Sequence, residues 1–228
     1  MQLKLYKKVL AIISCVMLPG LAISQGFDLG SWNILNMKYR INSKWSVFGE
    51  AQLRSLKFYQ QFHYYEYKGG VIYQLNSAIN FALAAGDYDT YREGGNFRTP
   101  KNNDEFRIWP QVSITQPLGV VKLEHRYRAE FRFTSNGFRN RFRYRLGLAY
   151  PFGDSGKGFK LWQVSINNEV FLTNRQPYFE RNRSAVSLSY RASKQTQLMI
   201  GYLHQFDYNL NDETGRDFLQ LGYYLELD

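Results

Sequence analysis

Cysteine is nearly absent from this 228-residue chain: there is one, Cys15. That excludes a disulfide framework and a Cys-rich metal site. Proline is scarce too, with six residues, so Pro-rich linkers are absent. No apolar run approaches the 20 or so residues that a spanning helix needs, and the mean hydropathy is −0.44, which excludes a polytopic helical membrane protein. Acids are outnumbered, 19 Asp and Glu against 29 Lys and Arg, for a net charge of +10. What is plentiful is aromatic: 18 Tyr and 17 Phe, far too many apolar rings for a disordered tail. A soluble β-rich domain, a basic nucleic-acid binder and a membrane β-barrel remain.

The first 24 residues decide among compartments. Lys4, Lys7 and Lys8 form a basic start, Val9–Leu18 an apolar stretch of ten residues, and Pro19-Gly20 a break. Ala22 and Ser24 place small side chains at −3 and −1 of a cleavage site before Gln25. This order predicts a secretory signal peptide over 1–24, with cleavage near Ser24, and a mature domain over 25–228. A lipoprotein reading at Cys15 fits poorly, because Ile12-Ile13-Ser14 is a weak approach and the apolar stretch before it is short. Cleavage removes three lysines and no acid, leaving 204 residues at +7 without cysteine. For an exported chain a nucleic-acid partner is not expected, and lipid phosphate or an internal charge network becomes the natural partner of the excess.

Beyond the leader the apolar period is two. Val121, Leu123, Tyr127, Ala129, Phe131 and Phe133 share one face with His125, and Lys122, Glu124, Arg126, Arg128, Glu130 and Arg132 the other. Similar alternation over 141–150, 161–173 and 219–227 predicts strands near 31–41, 45–55, 62–75, 78–87, 105–115, 120–134, 139–151, 161–173, 180–191, 195–207 and 217–227. Most span 10 to 14 residues, whereas globular strands average five or six and a tilted bilayer-crossing strand needs about 9–11. Short turns alternate with mostly longer polar segments, the longest at 88–104. A β-sandwich would have to present the densely charged face to water, whereas a barrel places it in a polar lumen. The expected fold is therefore all-β, a transmembrane antiparallel up-and-down barrel of 10–12 strands. Twelve is favoured because single-chain barrels have even strand numbers, with residues 25–31 supplying a short extra strand or threading the lumen.

Pairing strands by their turns directs Arg107, Arg126, Arg128, Arg132, Arg141, Arg143, Arg145, Arg181 and Arg183 into the lumen with Glu105, Glu124, Glu130 and Glu169. In the expected register Arg143 lies between Glu130 and Glu169, and Glu169 also meets Arg183. The planar guanidinium fork can bridge two carboxylates. Two readings follow: a salt-bridged interior that replaces an apolar core, and a site or path for small anions drawn by the excess charge. Rings near strand ends (Trp32, Trp45, Tyr64, Tyr65, Tyr67, Tyr150, Trp162, Tyr178, Tyr202, Phe206 and Tyr223) read as interfacial girdles.

Signatures of chemistry are sparse. Gly-x-Ser-x-Gly, His-Glu-x-x-His and a phosphate loop are missing. Asp207-Tyr-Asn209-Leu-Asn211 resembles a calcium loop, but Asp212 replaces the required Gly and Phe218 the final Glu, so no metal and no cofactor is expected. Of the three histidines, His204 lies on an outward face near the outer rim. If residue 191 pairs with 195, it opposes Asn182, with Ser184 one step away. Such a set is the minimum for an outer-membrane lipid hydrolase of phospholipase or lipid A deacylase type. That hydrolase is the alternative; the expected reading is a rim histidine among ordinary strand residues, in a non-enzymatic scaffold, narrow channel or binding barrel contacting outer-membrane lipid and lipopolysaccharide.

Glu50-Ala-Gln-Leu-Arg54, Glu124-His-Arg-Tyr-Arg128-Ala-Glu130, Arg139-Asn-Arg-Phe-Arg143-Tyr-Arg145, Asn167-Asn-Glu169, Arg181-Asn-Arg183 and Gly201-Tyr-Leu-His204-Gln together resemble the outer-membrane family catalogued as domain of unknown function 2490, over essentially all of 28–228. The resemblance implies a Gram-negative outer-membrane barrel and supplies no activity or catalytic residue.

Overall fold

The computed structural model describes residues 29–209 and 212–228; the expected signal peptide and residues 25–28 lie outside them. Eleven strands form among the described residues: β1 (Leu29–Arg40), β2 (Trp45–Lys57), β3 (Gln60–Gln74), β4 (Ile79–Tyr91), β5 (Lys101–Leu118), β6 (Val121–Thr134), β7 (Gly137–Asp154), β8 (Lys160–Thr173), β9 (Phe179–Arg191), β10 (Thr196–Asn209) and β11 (Asp212–Leu227). Each pairs with its sequence neighbours, and the sheet closes on itself between β1 and β11. Closure leaves no free edge and satisfies every strand laterally.

The count corrects the favoured twelve. With strict up-and-down alternation, an odd number of strands makes the first and last run in the same direction. The seam is accordingly parallel, from Leu29↔Asp217 to Tyr39↔Leu227, while all other pairs are antiparallel. Residues 29–31 belong to β1 itself.

Strands are longer than the sequence pattern predicts, 12 to 18 residues, and they extend mainly into the segments read as loops. Of 88–104, only 92–100 remains outside strands. On the same rim 58–59, 135–136 and 174–178 are short, comparable with 41–44, 75–78, 119–120, 155–159 and 192–195 opposite. Among the described residues, asymmetry between the two rims therefore rests on 92–100.

The pleat separates two chemistries. On β6, Phe131 and Phe133 are exposed outward, 41% and 49%, while Glu130 next to Phe131 is 1% exposed inside. Leu83, Phe142, Leu146, Leu148, Leu198 and Ile200 continue the apolar exterior. Sharp bending of the wall needs minimal side chains where strands crowd: a Cβ on Gly70 of β3 would lie 2.4 Å from the Cβ of Ala84 on β4.

The interior is a mosaic. One apolar cluster joins Trp32, Ala185, Leu203 and Phe218 from β1, β9, β10 and β11. A second joins Tyr64, Ala84, Tyr88 and Trp109 from β3, β4 and β5. Between them stand Arg54 on β2 and, on the other side, the charged faces of β6 to β8.

Candidate functional site: the waist of the lumen

Alternation on β5 to β8 points Glu105 and Arg107, Arg128, Glu130 and Arg132, Arg141, Arg143 and Arg145, and Glu169 into the barrel. Arg143 bridges two acids, its Nη1 2.7 Å from Glu130 Oε1 and its Nη2 2.8 Å from Glu169 Oε2. Glu130 also accepts from Arg141 Nε at 2.8 Å and Arg128 Nη1 at 3.4 Å, with Arg107 Nη1 4.0 Å away. Glu105 accepts from Arg107 through Nε at 2.6 Å and Nη2 at 2.9 Å, and also from Arg132. Arg126 Nη2 reaches Glu169 at 2.6 Å, and Arg145 Nη2 reaches Glu124 at 2.5 Å. Each carboxylate has two oxygens, so shared forks let few acids hold many guanidinium groups.

The expected Glu169–Arg183 contact is not made, although the two are cross-strand neighbours. Glu169's oxygens are taken by Arg143 and Arg126. Arg183 instead donates through Nε to Gln205 Oε1 at 2.9 Å. Arg181 pairs with Asp207.

Several lumen residues escaped the sequence reading. Glu66 accepts from Arg54 at 2.9 Å and from Lys68 at 2.5 Å, and Lys68 also meets Glu50. Alternation with Tyr65 and Tyr67 was the available signal. Glu180 accepts from Arg132 Nη1 at 3.1 Å and Arg141 Nη1 at 2.9 Å. Strict alternation would turn Glu180 away from Arg181 and Arg183; an irregularity in the β8–β9 register at Phe171/Leu172 turns it inward. Because β6 and β9 are separated by two strands, the Arg132–Glu180 pair is a chord across part of the lumen.

Two rings assigned to girdles line the interior instead. Trp32 and Tyr64 are buried, 4% and 8% exposed, because their positions in the pleat face inward. Arg54 stacks on both, its Cζ 3.5 Å from the Trp32 centroid and 4.0 Å from that of Tyr64. Arg107 stacks on Tyr88 at 3.6 Å, and Arg143 lies 4.5 Å from Phe171. Trp45, Tyr67, Tyr150, Trp162, Tyr178, Tyr202 and Tyr223 are exposed on the outside.

Packing is closest in the half of the barrel toward the rim that carries 92–100. Glu130, Trp109 and Phe171 are each 1% exposed although they point toward the barrel axis. These inward side chains are therefore packed against neighbouring side chains and not against water. Around them a cavity of about 820 Å³ is lined by fourteen Lys and Arg and seven Asp and Glu side chains. Glu124, Glu130 and Glu226 also face inward, bonded to Arg145, Arg143 and Lys38, and the surplus of positive charge stands.

On the outer wall the register corrects the expected histidine set. His204 pairs with Ser184, and Asn182 lies opposite Phe206. His204 Nδ1 is 2.8 Å from Asp217 Oδ1, which also accepts from Tyr202. Ser184 Oγ accepts from Asn168 at 2.9 Å, and Asn168 also bonds Asn182. The imidazole leans over Gly215 on β11, away from Ser184 on β9. Asp217 was invisible as a partner because it depends on the register of a third strand. Elsewhere on the wall Asp87, Asp89 and Asp104 gather within 4.8 Å, with Lys101 2.6 Å from Asp89 and 3.3 Å from Asp104.

A family model described as protein of unknown function (DUF2490) matches residues 29–216. No curated protein matches the chain. Among solved structures, an anion-selective porin from Comamonas acidovorans is similar at 14% identity and a TM-score of 0.38, over 77% of this chain and 55% of the porin. The chain thus spans about half the length of that porin.

Proposed function

The chain belongs to the DUF2490 family, and from that premise we propose a non-enzymatic outer-membrane barrel that holds small anions in a constricted lumen and does not conduct freely. Its setting is the outer membrane of a Gram-negative bacterium, reached after cleavage near Ser24, with lipid and lipopolysaccharide around the wall. Exposed apolar side chains on a closed sheet of 12- to 18-residue strands support that setting.

One observation carries the reading. Charged and aromatic side chains crowd the lumen, with inward Glu130 1% exposed among them, and the cavity beside it keeps a surplus of guanidinium groups. A low-dielectric wall strengthens that field, favouring anions over cations. Planar bilayers containing the protein are expected to show no stepwise porin-sized conductance. Its unfolding temperature in detergent is expected to rise with added small oxyanions at fixed ionic strength, because ligands of the folded state stabilise it. Large stepwise currents, or indifference to every anion, would overturn the proposal.

The hydrolase is the second reading. The His204–Asp217 contact favours it, with Ser184 across the strand pair. The bond from Asn168 to Ser184 and the tilt of the imidazole count against it.

A further inference from the structure

Arg183 differs from the other arginines of the waist. Its residue is 8% exposed, and its Nε donates to Gln205. Among the described residues no carboxylate lies within ion-pair distance of it, and neither terminal nitrogen has a hydrogen-bond partner. Glu169, the acid opposite, is already occupied by Arg143 and Arg126. The guanidinium is held sideways by rings, with Trp32 and Phe171 centroids each 4.9 Å from its Cζ. It lines the lumen cavity, as do Trp32, Gln205 and Leu203. A nearly buried cation with two free donors and no carboxylate bonded to it is an incomplete site.

We propose that Arg183 is the anchor of a subsite for small organic carboxylates. The claim rests on the anion-holding lumen and names its ligand class. A carboxylate presents two coplanar oxygens to the two free nitrogens of the fork. The rest of the ligand meets Trp32 and Leu203, surfaces that suit an apolar or aromatic body. Inorganic phosphate suits this place less well, since oxygens turned toward those surfaces would lose water without gaining donors. Arg54, whose Cζ lies 3.5 Å from the Trp32 centroid, adds field without competing for the fork, because its Nη2 is bound to Glu66 and Gln52.

The test is calorimetric titration of the detergent-purified full barrel with benzoate, and separately with inorganic phosphate. Saturable benzoate binding is expected, tighter than phosphate. Arg183→Gln is expected to weaken it at least about tenfold, and Arg183→Lys, which keeps the charge and loses the fork, to weaken it as well. Folding of both variants is checked by heat-modifiable migration. Benzoate binding that is absent in the wild type, or unchanged in a folded Arg183→Gln, would overturn the subsite. So would tighter binding of phosphate. A barrel that binds phosphate and ignores benzoate loses this assignment and keeps the anion-holding lumen; one that binds neither loses both.

Discussion

Arg143 donates to Glu130 on one neighbouring strand and Glu169 on the other, at 2.7 and 2.8 Å. The bridge ties β6, β7 and β8 together from the inside, where an ordinary domain would place an apolar core. Its two acids are 1% and 5% exposed, so neither can substitute water for a lost partner. Removing one member leaves buried charge uncompensated, which costs about 3–5 kcal/mol in such settings. Glu130→Gln is therefore expected to lower the unfolding free energy in lipid vesicles by that order. Glu124→Gln, whose partner pair with Arg145 is about one-third exposed, is expected to cost under about 1 kcal/mol. Equal effects of the two would contradict a waist that holds the barrel together.

Closure through a parallel seam makes a geometric prediction. Leu35 and Tyr223 are partners across β1 and β11 and both are exposed outward. The Leu35→Cys/Tyr223→Cys double variant is expected to form a disulfide on mild oxidation, because neighbouring strands bring Cα atoms within disulfide reach. A faster-migrating oxidised band checks it. Failure to cross-link would restore a twelfth strand between them.

Gly70 tests the bending of the wall. A Cβ there would come 2.4 Å from that of Ala84, and backbone atoms of β4 leave no room to move aside. Gly70→Val is expected to abolish the heat-resistant folded band in refolding assays. Gly49, where a Cβ would meet nothing within 4 Å, is expected to accept alanine without loss.

Ser184→Ala and His204→Ala are expected to leave phospholipid and lipid A profiles unchanged. The structure supplies the missing control: Asp217→Asn removes the carboxylate 2.8 Å from His204 Nδ1. Lipid hydrolysis that falls in all three variants would revive the enzymatic reading.

How much of this was legible depended on the feature. On β6 to β8 the charged and greasy faces could be read directly, since period two is local and survives errors of register by two residues. The bridge at Arg143 followed from it. Which carboxylate each arginine takes did not, as Arg183 shows: the cross-strand neighbour is right and the side-chain partner is Gln205. Trp32 and Tyr64 were misread because an aromatic near a strand end resembles a girdle residue until its parity in the pleat is known. Glu180 broke the alternation at a bulge, and Asp217 required three strands in register at once. The eleven strands themselves were readable; the preference for an even number replaced a correct count with twelve.

Accessibility along β6 tests the central claim most directly. Spin labels placed one at a time at 126, 128, 129, 131, 132 and 133 in the reconstituted barrel report contact with lipid through collisions with oxygen. The account predicts high oxygen accessibility at 129, 131 and 133 and low accessibility at 126, 128 and 132. Lipid contact at the arginine positions, or free access of a water-soluble relaxing agent to 131 and 133, would contradict it.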